Sequence, residues 1–107
     1  MRYKYERTIT DEEIVDLMDT ALHGIAYWCG EAQVLDKNGK TFDGWTSEAL
    51  SSGHDIRLWD SERWHTLTLD KLLKGLSMRT SFDSEQYDAD DGDAIIQYAI
   101  FGEIVYA

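Results

Sequence analysis

Two long stretches of this chain carry carboxylates and no lysine or arginine, and any fold has to accommodate both. Residues 11–36 contain Asp11, Glu12, Glu13, Asp16, Asp19, Glu31 and Asp36; residues 80–107 contain Asp83, Glu85, Asp88, Asp90, Asp91, Asp93 and Glu103. Together they carry −14 and the rest of the chain +3, against a formal net charge of −11. Like charges crowded into a small domain repel one another and lower the stability of the compact state. Such a concentration points to a use for the field it creates. Attraction to a basic surface is the use we expect.

The same charge balance narrows the function classes. Nucleic-acid phosphates are bound through Lys and Arg, and an anionic membrane surface attracts the same residues, so neither is an expected partner. With 107 residues the chain is most simply one domain, residues 1–107. A domain of that length buries roughly two-thirds of its unfolded surface, enough for a core without metals or disulfides. Thirteen aromatic residues argue against disorder despite the charge. Cys29 is alone, which excludes an internal disulfide and fits a reducing cytoplasm. The opening MRYKYERTIT is basic but has no apolar h-region, so it is not read as a signal peptide. No apolar run approaches the roughly 20 residues of a spanning helix. A soluble, cytoplasmic protein is expected.

Local signals are clearest near the start. Thr10 and Glu13 have capping-box spacing, and Asp11, Glu12 and Glu13 fill a first turn where the helix dipole favours anions. Ile14, Leu17, Met18, Ala21, Leu22, Ile25 and then Trp28 or Cys29 recur with helical period, with Gly30 placed to stop the helix. The opposite face carries Glu12, Asp16, Asp19 and His23, neighbours about 5–6 Å apart on a helix. That row is either a solvated face or a carboxylate ladder for a basic protein to grip.

Further along, residues 2–9 alternate weakly as an edge strand, AQVLD suits a short strand, and Asn38-Gly39 signals a type I′ hairpin returning through KTF. Thr46 caps a short helix through SEALSS, ended by Gly53. HDIRLWD alternates with Ile56 and Leu58 on one face, and WHTLTL with Leu67 and Leu69, an antiparallel pair across a turn at SER. Thr68 suits the N-cap of a helix striped by Leu69, Leu72, Leu73 and Leu76, in which Gly75 costs roughly 1 kcal/mol relative to Ala. The acidic segment from Asp83 to Asp93 reads as a loop. The apolar run from Ala94 to Gly102 favours a helix started by Asp90 or Asp91 over a buried strand, because aspartates precede it and glycine follows. EIVY is expected as a terminal strand. The sum is a compact single-domain α+β fold, about three helices packed on a small, mainly antiparallel sheet.

Catalytic and metal chemistry find little support. With Gly92 as the invariant glycine of an EF-hand loop, Tyr87, Ala89 and Tyr98 stand where oxygen ligands belong, and only Asp91 fits. Cys29, His23, His54 and His65 never fall at zinc-finger or H-x-x-x-H spacing. A thiolate nucleophile needs positive surroundings, whereas Cys29 has acidic sequence neighbours. G-x-S-x-G, a phosphate-cradling glycine loop and H-E-x-x-H are all missing. No enzyme activity, cofactor or metal is expected. Trp59 and Trp64 flank a turn, and an exposed aromatic there would suit a protein interface or a homo-oligomer. A single acidic helix presents one charge per about 5 Å, against one per about 1.7 Å of duplex axis. One helix is therefore too sparse to imitate a phosphate track without a second acidic element beside it.

IAYWCGEA after the capped acidic helix, LTLDKLLKG in the middle and DADDGDAIIQYAIFGEIVY at the end form a combination covering about half the chain. It resembles a family of small acidic uncharacterised proteins encoded on bacterial prophages and conjugative elements. The last segment is the most specific, and the region from Asp36 to Gly53 is variable in that pattern. By analogy, the resemblance implies an inhibitor of the anti-CRISPR or anti-restriction kind. Such a protein would be an acidic nucleic-acid mimic that occupies a basic channel of a host nuclease. The expected partner-binding residues are Glu12, Asp16, Asp19, Asp83, Glu85, Asp88, Asp90, Asp91 and Asp93, through charge-assisted contacts to Lys and Arg. A structural or regulatory accessory of a mobile element, acting as a homo-oligomer, is the alternative.

Overall fold

Thr10 begins the first helix as its spacing predicts: its hydroxyl accepts the Glu13 N–H at 3.2 Å and the Glu13 carboxylate accepts the Thr10 N–H at 3.3 Å. In the computed structural model, which describes residues 9–42, 44, 46–78 and 88–106, this helix is α1, Asp11–Gly24. It buries Ile14, Leu17, Met18 and Ala21. It stops at Gly24, well short of Gly30, and residues 25–28 turn to carry Trp28 into the core. The reason lies in packing. A Cβ on Gly24 would collide with the Ala89 carbonyl, so another helix backbone already sits against this turn. The edge strand expected over residues 2–9 lies outside the described residues except for Ile9, which packs half-buried on the core.

Four antiparallel strands follow in the spatial order β2-β1-β3-β4: β1 Glu31–Leu35, β2 Thr41–Phe42, β3 Asp55–Trp59 and β4 Trp64–Leu67. Val34 pairs with Ile56 and Ile56 with Leu67, placing these residues and Leu58 on the face that meets the helices. Gln33, Arg57, Trp59 and Trp64 alternate onto the other face. The β1–β2 hairpin forms, but not through a type I′ turn. Among the turn residues only Gly39 has positive φ, at 80°, whereas type I′ needs two. Asp36 organises the turn instead, its Oδ1 accepting the N–H groups of Asn38 and Lys40 at 2.8 and 2.9 Å. Asp–backbone turns of this kind compete well with the hairpin types of shorter loops.

Short helix α2, Thr46–Ala49, links α1 to β1 and β3. Thr68 caps α3, Leu69–Met78, by accepting the Lys71 N–H at 3.1 Å. Leu69 is thus the first helical residue, not a strand partner of Leu67. The last helix, α4, spans Ala89–Phe101 and starts earlier than expected, because Asp88 is the N-cap and forms a capping box with Asp91. Gly102, in the left-handed region at φ 75°, closes it. Half of the expected acidic loop is therefore helix. Residues 103–106 are not a strand but a strap held to α4, described below.

The central helix is α4, with α1 on one side and α3 on the other. Gly92 lies against Ala21 of α1, and Gly75 of α3 lies against the Ile95 carbonyl and Ala99. Glycine at both crossings lets helix backbones approach closely. That explains why Gly75 persists in a helix where alanine has the better propensity. Replacing Gly92 by Ala would set a methyl 2.7 Å from Ala21 Cα and 2.9 Å from its Cβ. We expect Gly92→Ala to lose about 1–3 kcal/mol of stability in urea denaturation, overpacking outweighing the helix-propensity gain. A neutral or stabilising result would contradict this packing.

Candidate interaction surface

The apolar stripe of α1 dictates what its other face must do. With Ile14, Leu17, Met18 and Ala21 buried, Glu12, Asp16 and Asp19 are exposed in a row. His23 continues it, its Nδ1 lying 2.8 Å from the Asp19 carbonyl. The N-terminus of α4 starts against the last turn of α1, through the Gly24–Ala89 and Ala21–Gly92 contacts. Because Ala21 is on the buried side of α1, opposite that row, the last turn of α1 is met from the far side by the acids that open α4. Of these, Asp88 and Asp90 are exposed and Asp91 is half-buried. Asp88 and Asp91 also serve as caps, with Asp91 N–H to Asp88 Oδ1 at 3.0 Å. Asp83 and Glu85 lie outside the described residues. The Lys and Arg of the described residues are Lys37, Lys40, Arg57, Arg63, Lys71 and Lys74, on hairpins, sheet and α3; none lies on α1 or α4.

Asp93 departs from expectation: it is a buried residue, 9% exposed, and not part of the outer row. Its Oδ1 accepts the Trp28 indole N–H at 2.7 Å and a Gln97 amide N–H at 2.9 Å, and its Oδ2 accepts the Tyr27 hydroxyl at 2.7 Å. The reason is helical spacing. Asp93 lies four residues before Gln97, on the side of α4 that meets the turn after α1. A carboxylate removed from water needs such donors. Gln97 in turn uses both ends of its amide. Nε2 donates to Asp93 and to the Tyr106 carbonyl at 2.9 Å, and Oε1 accepts the N–H groups of Val105 and Tyr106 at 2.8 Å. The strap is thus hydrogen-bonded as if to a strand, with a side chain supplying the partner groups. The Tyr106 ring stacks on Trp28, centroids 5.1 Å apart and planes 8° from parallel.

The other end of Tyr106 reaches Asp60, where Oδ2 accepts the Tyr106 hydroxyl at 3.3 Å and faces His65 Nε2 at 2.6 Å. Asp60 Oδ1 accepts the N–H groups of Glu62 and Arg63 at 2.9 Å, closing the β3–β4 turn around Ser61, whose φ is 82°. Burial alone would raise the Asp60 carboxyl. The Arg63 N–H, the His65 ring and the Glu62 N–H together outweigh it, holding Asp60 well below the usual carboxylate range. Its contribution to stability is therefore present above the unfolded carboxyl pKa and is lost as pH falls through the folded one. Cys29 is half-buried nearby, and burial raises its thiol, the direction opposite to an activated nucleophile. This cluster has the residue types of a catalytic site, but its geometry is that of a turn closure.

On the open face of the sheet, Trp59 and Trp64 are cross-strand partners with ring centroids 5.3 Å apart, each half-buried. The Arg57 guanidinium lies 4.1 Å over the Trp64 ring and donates to Gln33 at 2.7 Å. Among the described residues, no group of three or more His, Cys, Asp or Glu is placed to hold a metal ion, and no helix is long and apolar enough to cross a membrane. Comparison with protein-family models, curated proteins and solved structures finds no match to the chain. Sequence reasoning missed Tyr27, Gln97 and Tyr106 as a unit. The available signal was the pair Asp93 and Gln97, one helical turn apart in an apolar run.

Two outcomes follow from this network. Gln97→Leu fills the same space but leaves two backbone N–H groups of the strap without their acceptor and takes one donor from Asp93 and one from the Tyr106 carbonyl, which keeps the Tyr27 hydroxyl. A loss of about 2–4 kcal/mol is expected, with faster hydrogen exchange at Val105 and Tyr106. Unchanged protection there would refute the strap contact. Hydrogen bonding to Asp93 pushes the Tyr27 hydroxyl up from an ordinary 10.0 to about 12, with burial adding to it. A raised phenol favours the neutral form, so this contribution is whole below the unfolded value and lost as pH rises through about 12. Ultraviolet titration should show late tyrosinate formation whose amplitude Tyr27→Phe reduces, with Tyr106, raised by burial and Asp60, supplying the rest.

Proposed function

We propose that this chain is a non-catalytic, acidic inhibitor that mimics nucleic acid and binds a basic surface of a host nucleic-acid-binding protein. The favoured case is an anti-CRISPR protein acting in the bacterial cytoplasm. The observation that carries the reading is the exposed row Glu12, Asp16 and Asp19 on α1 together with the separate acidic start of α4, with no Lys or Arg of the described residues on either helix. A lone helix is too sparse to stand in for phosphates, so the acids that open α4 would have to engage the same partner. Carboxylates there would make charge-assisted hydrogen bonds to Lys and Arg that otherwise hold DNA or RNA. Occupying such a channel competes with the nucleic acid, and no chemical step is needed.

A second reading is a mobile-element accessory that self-associates through the open sheet face. The half-buried Trp59–Trp64 pair favours it, since aromatic residues concentrate in interface hot spots. Sedimentation separates the two, because a stable oligomer whose dissociation follows Trp64→Ala supports the accessory.

The test of the first reading is target-DNA binding and cleavage by purified RNA-guided nucleases, with and without the chain. Inhibition should weaken steeply between low and physiological salt. It should also fall about tenfold or more when Glu12→Gln, Asp16→Asn and Asp19→Asn are combined. Inhibition that ignores both salt and these substitutions would remove the electrostatic mechanism.

A further inference from the structure

A groove opens on the side of α4 where Tyr27, Ala94 and Ile104 form apolar walls above Asp93, Gln97 and Tyr106, with Asp90 at its rim; its volume is about 560 Å³. Three features set it apart from a solvated acidic patch. Tyr27 is 58% exposed and Ile104 43%, so the walls present apolar surface that the fold leaves uncovered. Asp93 lies on the floor over nine-tenths buried, yet its three hydrogen-bond donors, from Tyr27, Trp28 and Gln97, are all neutral. An ionised carboxylate accepts about four hydrogen bonds, and of the three donors Oδ2 takes one, from Tyr27. No Lys or Arg of the described residues pairs with Asp93 or Asp90. The tyrosine hydroxyl is tied down to Asp93, and Asp90 lies close enough to Tyr27 to act on it electrostatically. The ring is thus anchored at its hydroxyl, which also lies 3.2 Å from the Tyr106 carbonyl.

A buried carboxylate whose hydrogen-bond donors among the described residues are all neutral, an exposed aromatic wall and a second carboxylate lining the same groove suit one kind of group. We propose that this groove takes an arginine side chain presented by a basic protein partner. The guanidinium would lie against the Tyr27 ring and donate to Asp90 and the floor of the groove. A planar cation with five donors matches a ring face flanked by carboxylates better than an ammonium point charge does. The groove is open along its length, so it admits a side chain reaching in from a surface. The proposal rests on the reading of this chain as a binder of basic proteins, and adds a specificity site to what would otherwise be diffuse attraction.

The experiment is an amide-resolved nuclear magnetic resonance titration of the full chain with a hexa-arginine peptide, with hexa-lysine and hexa-citrulline as comparisons. Expected are saturable shifts at Tyr27, Ala94 and Ile104, weaker binding of hexa-lysine and none of hexa-citrulline. Asp90→Asn should weaken hexa-arginine binding roughly fivefold. Tyr27→Phe, which keeps the ring, should retain more affinity than Tyr27→Leu, provided each variant preserves the dispersed spectrum of the fold. Ile104→Ala gives a wall variant whose side chain makes none of the Asp93 hydrogen bonds and should also weaken binding. Hexa-lysine binding as tightly as hexa-arginine, or shifts confined to Glu12, Asp16 and Asp19, would overturn the groove. If combined Glu12→Gln, Asp16→Asn and Asp19→Asn abolishes binding while Asp90→Asn and Ile104→Ala have no effect, the groove fails and the acidic-surface reading stands. If only the groove variants matter, the groove stands and the extended mimic fails.

Discussion

The buried carboxylate of Asp93 joins parts of the chain that would otherwise be independent: the turn after α1 through Tyr27 and Trp28, helix α4 through Gln97, and, by way of Gln97, the strap at residues 105–106. A charge leaves water only where donors replace its hydration, so these positions are specified together. Trp28 must sit where its indole N–H reaches Asp93, which requires α1 to end early and the chain to turn at Ile25. Tyr106 must then stack on Trp28 while its hydroxyl reaches Asp60. One polar residue in an apolar helix thus fixes the end of α1, the path of the strap and a contact with the β3–β4 turn.

Glycine at the helix crossings provides the complementary constraint. The Asp93 network forms only if α4 comes close to the turn after α1, and Gly24 and Gly92 remove the side chains that would keep the two apart. Gly75 does the same on the α3 side. Close helix approach and the buried carboxylate are therefore mutually dependent: the first brings donors within reach, and the second holds the helices once they are there. Networks of this kind are costly when incomplete and specify one arrangement when satisfied.

What the sequence disclosed was mostly local. The Thr10–Glu13 box, the Ile56 and Leu58 alternation and the Thr68 cap are interactions among residues within a few positions, and each stands where its pattern places it. The α+β class followed from those elements. The misplacements share one cause, a partner distant in sequence. Periodicity carried α1 on to Gly30, because nothing local reveals Ala89 pressing on Gly24. EIVY has strand composition, yet its backbone is bonded by a glutamine side chain from α4. Aspartates 88–91 looked like a loop because acids open a helix as readily as they line a turn. At the candidate surface, the α1 row was readable from spacing, whereas the inward turn of Asp93 required knowing what faces α4.

These placements also change how much of the net charge reaches solvent. Asp11, Glu12 and Glu13 stand in the first turn of α1, and Asp88, Asp90 and Asp91 around that of α4. Each helix N-terminus carries roughly half a positive charge to offset them. Asp36 and Asp60 direct oxygens at backbone N–H groups of their own turns, and Asp93 is inside. Outside these roles Asp16 and Asp19 stay exposed on α1, while Glu31, Glu48, Asp55, Glu62, Asp70 and Glu103 are exposed elsewhere, so the outward field is spread over several faces. The α1 row itself spans only a few phosphates of a duplex. Under the proposed reading it would meet a handful of cationic side chains at one place on a partner. On that scale, discrimination must come from shape and donor geometry more than from total charge. Were a basic partner bound as proposed, the exposed Tyr27 wall in the groove with Asp90 would be the part of the surface with the chemistry to supply it.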